Sequence, residues 1–178
     1  MRTAAPWVPA FAEMTIEMTA RVDAMLRAEI DALYADYAHC LDNDALEEWP
    51  EFFTEDCRYR ITSAENFEAG LPLGIVYATS KAMLVDRVMA LRKANIYEPQ
   101  RYRHMIGAIK IGAAEAEGVQ PVVANLLVVR TMQDGAMTLF AAGRYVDRLV
   151  RKSSVWKFGG KDVVLDSRQI DTLLAIPL

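Results

Sequence analysis

Apolar residues recur at steps of three and four positions between Ala20 and Leu41, with charged residues at the positions between them. In a helix of 3.6 residues per turn this spacing produces one apolar stripe and one polar face. The stripe consists of Val22, Leu26, Ile30, Leu33, Tyr37 and Leu41. The pattern therefore predicts a long amphipathic helix over 20–41 that packs against a core.

The stretch LDNDALEEWPEFF that follows is less regular. Asp44 and Glu47 have the three-residue spacing of a capping box, but Pro50 cannot donate a backbone hydrogen bond within a continuing helix. We therefore expect two short helical turns, with Trp49 as an aromatic anchor either in the core or at an interface.

A further helix is predicted after Ser80 and before Pro99, ending near Asn95. Its buried side would carry the apolar residues at helical spacing, which are Leu84, Val88 and Leu91.

Strand-like segments dominate the second half of the chain. CRYRIT (57–62) alternates in polarity and precedes a loop-like segment, ENFEAGLPLG. After Pro99 four β-rich stretches follow, separated by short polar turns: 102–113, 119–132, 136–150 and 155–168. Such turns are typical of hairpins, so we expect an antiparallel meander. Helices first and a sheet afterwards predict an α+β domain whose helices cover one face of the sheet.

One strand is apolar on both of its alternating faces. The segment ANLLVV (124–129) carries aliphatic residues at odd and even positions alike. A strand with one face in water would not show this pattern. Burial by a partner subunit and a closed cone-shaped pocket are both compatible with it.

The strand entry QRYRHMIG (100–107) contains two arginines and one of the two histidines in the chain. Alternation separates an odd-numbered face, with Met105 and two isoleucines, from an even-numbered face. The odd face is the more apolar and is predicted to carry the helices. Tyr102 and His104 would then face a partner, while Arg101 and Arg103 would pair with its carboxylates. The predicted subunit interface is thus Arg101, Tyr102, Arg103 and His104, and a solvated strand end is the alternative.

Length and composition limit the possible classes. A chain of 178 residues with 53% apolar composition suits one domain with a sizeable core. Residues 1–18 contain two prolines and no clear helical period, so they are predicted to be a peripheral tail on a domain of residues 19–178. No stretch has the pattern of a signal peptide or a membrane span, which favours a cytoplasmic protein.

Charge and ligand content argue against several functions. The net charge of −4, with scattered basic residues, argues against a nucleic-acid partner. Two histidines 65 positions apart, without Cys-x-His pairs, cannot form a Rieske cluster site, and we expect no metal or cofactor site in this chain. Cys40 and Cys57 are expected to be inert core thiols, and Gly159-Gly160 is expected to form a β-bulge.

An acid–base site is an open alternative. Asp36, Tyr37, His39 and His104 could serve a stand-alone dehydratase or isomerase if they met in a buried pocket. However, Asp36 and His39 fall off the apolar stripe, and Tyr37 lies on it as a core residue would. A binding module for a small hydrophobic ligand would in turn require an open cone.

Longer motifs point to one family. They are LYADYAHCLDNDALEEWPEFFTEDCRYRIT, DRVMALR, the R-x-R-H strand entry, GRYVDRL and VVLDS. Through them the chain, from roughly Ala20 onward, resembles the small (β) subunits of aromatic-ring-hydroxylating dioxygenases. WPEFFTEDCRYR, NFEAGLPLGIVYATSKAM, ANIYEPQRYRHMIG and DTLLAIPL are most similar to the terephthalate dioxygenases and multicomponent salicylate hydroxylases. His39 and the extension before Thr19 lie outside the resemblance.

The resemblance implies a cone-shaped α+β fold of the nuclear-transport-factor-like (cystatin-like) type, with N-terminal helices on a long, curved, mainly antiparallel sheet. It implies a non-catalytic structural subunit that forms a trimer and assembles with three large subunits. The large subunit would carry the Rieske [2Fe–2S] cluster and a mononuclear non-haem Fe(II), and a reductase would reach that subunit. The complex would hydroxylate an aromatic carboxylate such as terephthalate or salicylate.

Overall fold

A computed structural model describes residues 10–94, 98–168 and 174–178, and the side chains of the first helix from Asp23 onward. The helices are α1 (Ala10–Asp42), a 3-10 helix (Trp49–Phe52), α2 (Ala64–Glu68) and α3 (Lys81–Lys93). The strands are β1 (Phe53–Ser63), β2 (Val76–Ala78), β3 (Gln100–Ile111), β4 (Val119–Met132), β5 (Met137–Lys152) and β6 (Val155–Leu165).

The described strands form one six-stranded sheet in the order β2-β1-β6-β5-β4-β3. Strands β3 to β6 form the predicted antiparallel meander, and β1 joins it by pairing parallel to β6. Helix α1 packs against β3 and β6 on one face of this sheet. The predicted α+β architecture, with helices on one face of a mainly antiparallel sheet, is confirmed.

Helix α1 buries the predicted stripe from Leu26 onward, and the side chain of Val22 lies outside the described residues. Ile30, Leu33, Tyr37 and Leu41 all lie in the core, and Tyr34 joins them. The helix begins at Ala10, earlier than the pattern predicted, so residues 10–18 are helical. FAEMTIEM contains alanine, glutamate and methionine residues of good helix propensity, which favours this extension. Residues 1–9 lie outside the described part, and the domain boundary at residue 19 stays a prediction.

Helix α3 follows its prediction closely. The Ser80 hydroxyl accepts a hydrogen bond from the backbone N–H of Met83, which satisfies one of the free donors of the first turn. Leu84, Val88 and Leu91 are buried. The predicted end near Asn95 lies just beyond the described residues of this helix.

The capping box predicted at Asp44 and Glu47 is wrong. Asp44 lies in a turn with φ of 58°, and residues 49–52 form a single 3-10 helix in place of two helical turns. Both carboxylates bind the Arg92 guanidinium of α3, with N–O distances of 2.9 Å to Asp44 and 2.8 Å to Glu47. The two acids therefore satisfy a distant cation instead of backbone N–H groups.

Trp49 is an anchor of the core. Its ring is fully buried, packs edge-on against Phe53 and Tyr59, and donates from Nε1 to the Tyr37 hydroxyl at 3.2 Å. This placement excludes Trp49 from a subunit interface.

The face assignment of β3 is wrong for residues 101–106. Tyr102 and His104 are buried on the side of α1, while Arg101, Arg103 and Met105 are exposed on the opposite side. The strand then contains a bulge, where Ala108 has φ of 47° and the register with β4 shifts. A bulge reverses the alternation. Ile109 and Ile111 therefore return to the core side, and counting them with Met105 produced the wrong assignment.

Candidate functional site

The interior of the cone contains a buried ion pair. Lys161 Nζ donates to Asp147 Oδ2 at 2.9 Å, and the Tyr34 hydroxyl donates to the same oxygen at 2.6 Å. The side chains of Lys161 and Asp147 are both fully buried. The three residues come from β6, β5 and α1, so the pair joins the sheet to the long helix.

Four aromatic rings surround the Lys161 ammonium. Its nitrogen lies 3.3 Å from the ring centroid of Tyr145, 4.3 Å from Phe158 and 4.6 Å from Tyr37. The Tyr34 ring is 5.2 Å away. Cation–π attraction is strongest where water is excluded, so these rings offset part of the desolvation cost of the charge.

Burial shifts the proton affinities of this centre. Desolvation lowers the pKa of Lys161 to about 8, against the opposing attraction of Asp147. Desolvation also raises the pKa of Asp147, against Lys161 and the Tyr34 hydrogen bond. The pKa of Tyr34 rises through desolvation and the nearby Asp147 charge. Groups with such shifts occur at catalytic sites as well as in structural networks, and access for a substrate decides between them.

Residues 174–178 close this interior. The Tyr37 and Tyr59 hydroxyls both donate to the main-chain oxygen of Leu178, at 2.9 and 3.0 Å. Leu174, Ala175, Ile176 and Leu178 are all buried in the core. The cavity left between this segment and β5 measures about 10 Å³. A space of that size holds at most one water molecule and no aromatic substrate.

Neither Lys161 nor Asp147 was among the residues predicted from the sequence. Asp147 lies between the inward-facing Tyr145 and Leu149, so alternation alone could have placed it inside. Lys161 required the bulge: the register between β5 and β6 shifts at Gly159, as predicted for the glycine pair. This shift moves Lys161 onto the inner face.

The predicted acid–base set does not form one site. Asp36 and His39 are both exposed on α1, whereas Tyr37 belongs to the aromatic rings around Lys161. His104 pairs with Asp42 at a different place. These positions do not bring the four residues together.

The remaining nucleophiles and possible metal ligands are also placed. Cys40 and Cys57 are buried free thiols, and burial raises the pKa of each to about 11. Such thiols carry little thiolate near neutral pH and react slowly. In the described ranges, no three His, Cys, Asp or Glu residues cluster closely enough to hold a metal ion. None of the helices there is long and apolar enough to cross a membrane.

His104 holds the edge strand β3 to the end of α1. The Asp42 carboxylate accepts from the backbone N–H of His104 at 3.0 Å and lies 2.7 Å from its Nδ1. A carboxylate only accepts hydrogen bonds when ionised, so Nδ1 carries the proton. The His104 side chain is fully buried, whereas Arg103 is 62% exposed and lies 3.5 Å from Asp42. The histidine is thus a structural residue.

The opposite side of β3, β4 and β5 carries exposed apolar residues. Strand register aligns Met105 with Leu127 and Ala142, and Arg103 with Val129 and Leu139. Met105 is 48% exposed and Leu139 63%. We call this side the outer sheet face, defined by Arg101, Arg103, Met105, Val123, Leu127, Val129, Met137 and Leu139. A contiguous apolar patch on one face of a sheet is typical of an interaction surface.

A shallow depression lies within the outer sheet face. It has a volume of about 600 Å³ and lies between Met105, Asn125, Leu127 and Arg144. Gly107 forms part of its lining, and a Cβ placed there would meet no atom within 4 Å. The depression therefore has space for side chains of another protein.

Comparison with known proteins shows which family the chain belongs to. Residues 37–172 match the family model described as the ring hydroxylating beta subunit. The chain belongs to this family. It is similar to the anthranilate 1,2-dioxygenase small subunit of Burkholderia cepacia, with 45% identity over 84% of this chain and 92% of the relative. It is also similar to the terephthalate 1,2-dioxygenase terminal oxygenase component subunit beta 1 of Comamonas, with 43% identity over 84% and 97% of the two chains.

A solved structure agrees with the fold of this ring-hydroxylating beta subunit. A crystallised beta subunit from Novosphingobium aromaticivorans, attributed to an aromatic-ring-hydroxylating dioxygenase, superposes with a TM-score of 0.81. Its sequence is 38% identical, and the match covers 88% of this chain and 99% of that one. The cone-shaped fold and the family membership predicted from the sequence motifs are therefore confirmed.

Substitutions at two adjacent residues separate the structural from the exposed side of β3. We expect His104→Ala to lower the free energy of unfolding by about 1–3 kcal/mol or more, because Asp42 loses the buried imidazole donor and keeps only the backbone N–H. Arg103→Ala should change it by less than about 0.5 kcal/mol, since the guanidinium is mostly exposed. Urea unfolding of both variants measures this, and equal stability would contradict the assignment of the two faces.

The buried ion pair has a defined pH signature. Because the folded pKa of Lys161 is depressed from 10.5 to about 8, the unfolded chain binds more protons between these values. Stability from this group therefore rises with pH in that window, by at most about 1.4 kcal/mol per unit. We expect the unfolding free energy of the wild type, minus that of Lys161→Met/Asp147→Asn, to increase from pH 8 to 10.5. The cysteines are common to both proteins and cancel, and below about pH 9.5 the tyrosines stay mostly protonated in the folded and unfolded states of both. A flat or falling difference in that part of the range would show that Lys161 is not desolvated.

Proposed function

We propose that this chain is the non-catalytic structural small subunit of a hetero-oligomeric Rieske oxygenase that hydroxylates an aromatic carboxylate. The observation that carries the proposal is the contrast between its interior and its surface. Lys161, its aromatic rings and Leu178 fill the cone interior, whereas the outer sheet face exposes apolar residues. A protein arranged in this way acts through contact with other chains.

The proposed partner is the oxygenase large subunit. That subunit carries the Rieske [2Fe–2S] cluster and the mononuclear Fe(II), which need thiolate and imidazole ligands. Three large and three small subunits form the complex, the small subunits form a trimer, and the reductase reaches the large subunit in the cytoplasm. The names of the relatives support the pairing, since one is a small subunit and another belongs to a terminal oxygenase component.

The proposed substrate is an aromatic carboxylate such as terephthalate or salicylate. The relatives from Burkholderia cepacia and Comamonas are named for anthranilate and terephthalate, which both carry a carboxyl group on the ring. Two relatives of similar identity with different substrates indicate that the small subunit tolerates variation of the substrate. This variation is expected if the substrate binds in the large subunit.

The interface prediction at RYRH becomes more specific. Arg101 and Arg103 point outward beside the apolar outer sheet face and stay proposed contact residues. Tyr102 and His104 lie beneath them against α1, so they support the surface from inside.

A stand-alone dehydratase or isomerase is less well supported. Its substrate would have to reach Asp147 and Lys161, and Tyr37 links the rings around Lys161 directly to the closing residue Leu178.

A single charge on the outer sheet face tests the proposed function. Met105→Asp places a carboxylate at the centre of the apolar face, and burying it against a partner without a counter-charge is unfavourable. We expect the dissociation constant for the co-expressed large subunit to increase at least about tenfold, a loss of about 1.4 kcal/mol. Analytical ultracentrifugation measures it.

The matched control is Met25→Asp, because Met25 is 63% exposed on α1, away from the outer sheet face. It should assemble like the wild type. Equal affinity of both variants, or no complex with any large subunit, would refute the proposed function.

A further inference from the structure

A second surface lies on the helical side of the molecule. The groove between α1, the 3-10 helix and the β5–β6 hairpin has a volume of about 530 Å³. Its apolar floor includes Leu33, Phe52, Val155 and Trp156. Val155 is 58% exposed, so part of this apolar floor is open to solvent.

The rim of this groove is acidic. Four carboxylates line it and only one cation, Lys157, does so. Glu29 binds Arg151 and the Trp156 indole N–H, and Glu51 binds Lys81. The other two, Asp36 and Glu48, are exposed and form no ion pair with the described residues. We call this surface, with Glu29, Leu33, Asp36, Glu48, Glu51, Phe52, Val155 and Trp156, the acidic groove.

A surface of the opposite character lies at one corner of the outer sheet face. Register aligns Arg101 with Thr131 and Met137, and Arg103 with Val129 and Leu139. Arg101 makes no ion pair in the described part of the chain, and Arg103 has only a 3.5 Å contact to Asp42. Met137 and Leu139 are 73% and 63% exposed. We call Arg101, Arg103, Val129, Met137 and Leu139 the basic corner.

We propose that the acidic groove of one small subunit receives the basic corner of a second copy of this chain. The two surfaces are complementary in charge and in polarity. The carboxylates of Asp36 and Glu48 would meet the two arginines, and the apolar floor of the groove would meet the exposed aliphatic side chains of the corner. Arginine forms its strongest contacts with carboxylates in such partly desolvated places. This inference rests on the proposed assembly and names the surfaces that join its small subunits.

The positions of the two surfaces define the symmetry of the contact. They share no residue, and they lie at opposite ends of β5, with Met137 at its start and the Ser154–Trp156 turn region after its end. A contact between two different surfaces is heterologous, and a heterologous contact closes into a ring or continues as a filament. In a closed ring of three copies, every acidic groove binds the basic corner of a neighbouring copy.

Cross-linking between copies tests the contact directly. One chain carries Glu48→Cys with an isotope label, and the other carries Arg103→Cys. The native Cys40 and Cys57 are buried, and burial raises their pKa to about 11, so neither competes for a maleimide reagent. After mixing, a short bismaleimide should join labelled to unlabelled chains, both in the small subunit alone at high concentration and in the assembled oxygenase.

The control pairs Arg103→Cys with Glu117→Cys, an exposed position in the β3–β4 connection outside both surfaces. It should yield no product above background. If Glu48→Cys joins only the large subunit, or no hybrid forms in either sample, the proposal is overturned.

Charge exchange provides a second readout. Asp36→Arg/Glu48→Arg should weaken self-association at least about tenfold, and so should Arg101→Glu/Arg103→Gln. The glutamine at 103 avoids placing a new carboxylate beside Asp42. Combining all four changes in one chain restores one pair of opposite charges across the contact, and sedimentation equilibrium should show self-association at least about threefold tighter than with either pair of changes alone. Additive weakening without recovery would contradict the pairing.

This outcome is separable from the proposed function. If cross-linking and charge exchange both fail while the wild-type chain still binds the large subunit, only the contact between copies is refuted. A chain that binds no large subunit refutes the proposed function, whatever its self-association.

Discussion

The buried pair between Lys161 and Asp147 constrains how the helix and the sheet pack together. Each charge is fully buried, and an unpaired charge in this interior would cost several kcal/mol. Tyr34 of α1 donates to the same carboxylate oxygen, so an arrangement that displaces α1 from β5 leaves a buried acceptor less satisfied. A buried pair of this kind does not need to add net stability. Its effect is to make competing packings of the same apolar elements less favourable.

Because side chains fill the interior of the domain, its surface is the part that can contact other molecules. The four rings around Lys161 and the closing residues 174–178 pack into the interior between α1 and the sheet. The edge of the sheet is also occupied, because Asp42 accepts from the backbone of His104 and Arg27 donates to the Ile109 carbonyl. An exposed edge strand can pair with a strand of another chain, and these two contacts oppose such pairing along β3. Interaction through the faces of the sheet and helices is then the available mode, as expected for a ring-hydroxylating beta subunit.

Elements with one uninterrupted period were predictable from the sequence. The stripe of α1, the cap and buried side of α3, and strands β3 to β6 follow directly from spacing and turn residues. The wrong predictions lie where a bulge interrupts the strand alternation or where a residue distant in sequence binds the predicted group. The bulge at Ala108 places Ile109 and Ile111 on the side opposite Met105, so a period counted through it assigned RYRH to the wrong faces. The bulge at Gly159 likewise breaks the alternation that would have placed Lys161 inside. Asp44 and Glu47 were predicted to cap a helix from their local spacing. Their carboxylates instead bind Arg92, which lies 45 positions from Glu47. The family followed from long motifs, because a surface function leaves no catalytic spacing to detect.

We propose that this subunit contributes contact surfaces, whereas the chemistry takes place in the large subunit. The most direct measurement is the steady-state turnover of an aromatic carboxylate by the assembled oxygenase carrying Lys161→Met/Asp147→Asn, with assembly verified on the same sample. Removing both charges together leaves no unpaired buried ion. We expect kcat and KM to stay within about twofold of the wild type. An intact, fully assembled complex whose kcat has collapsed would contradict this proposal and would place a catalytic group inside the cone.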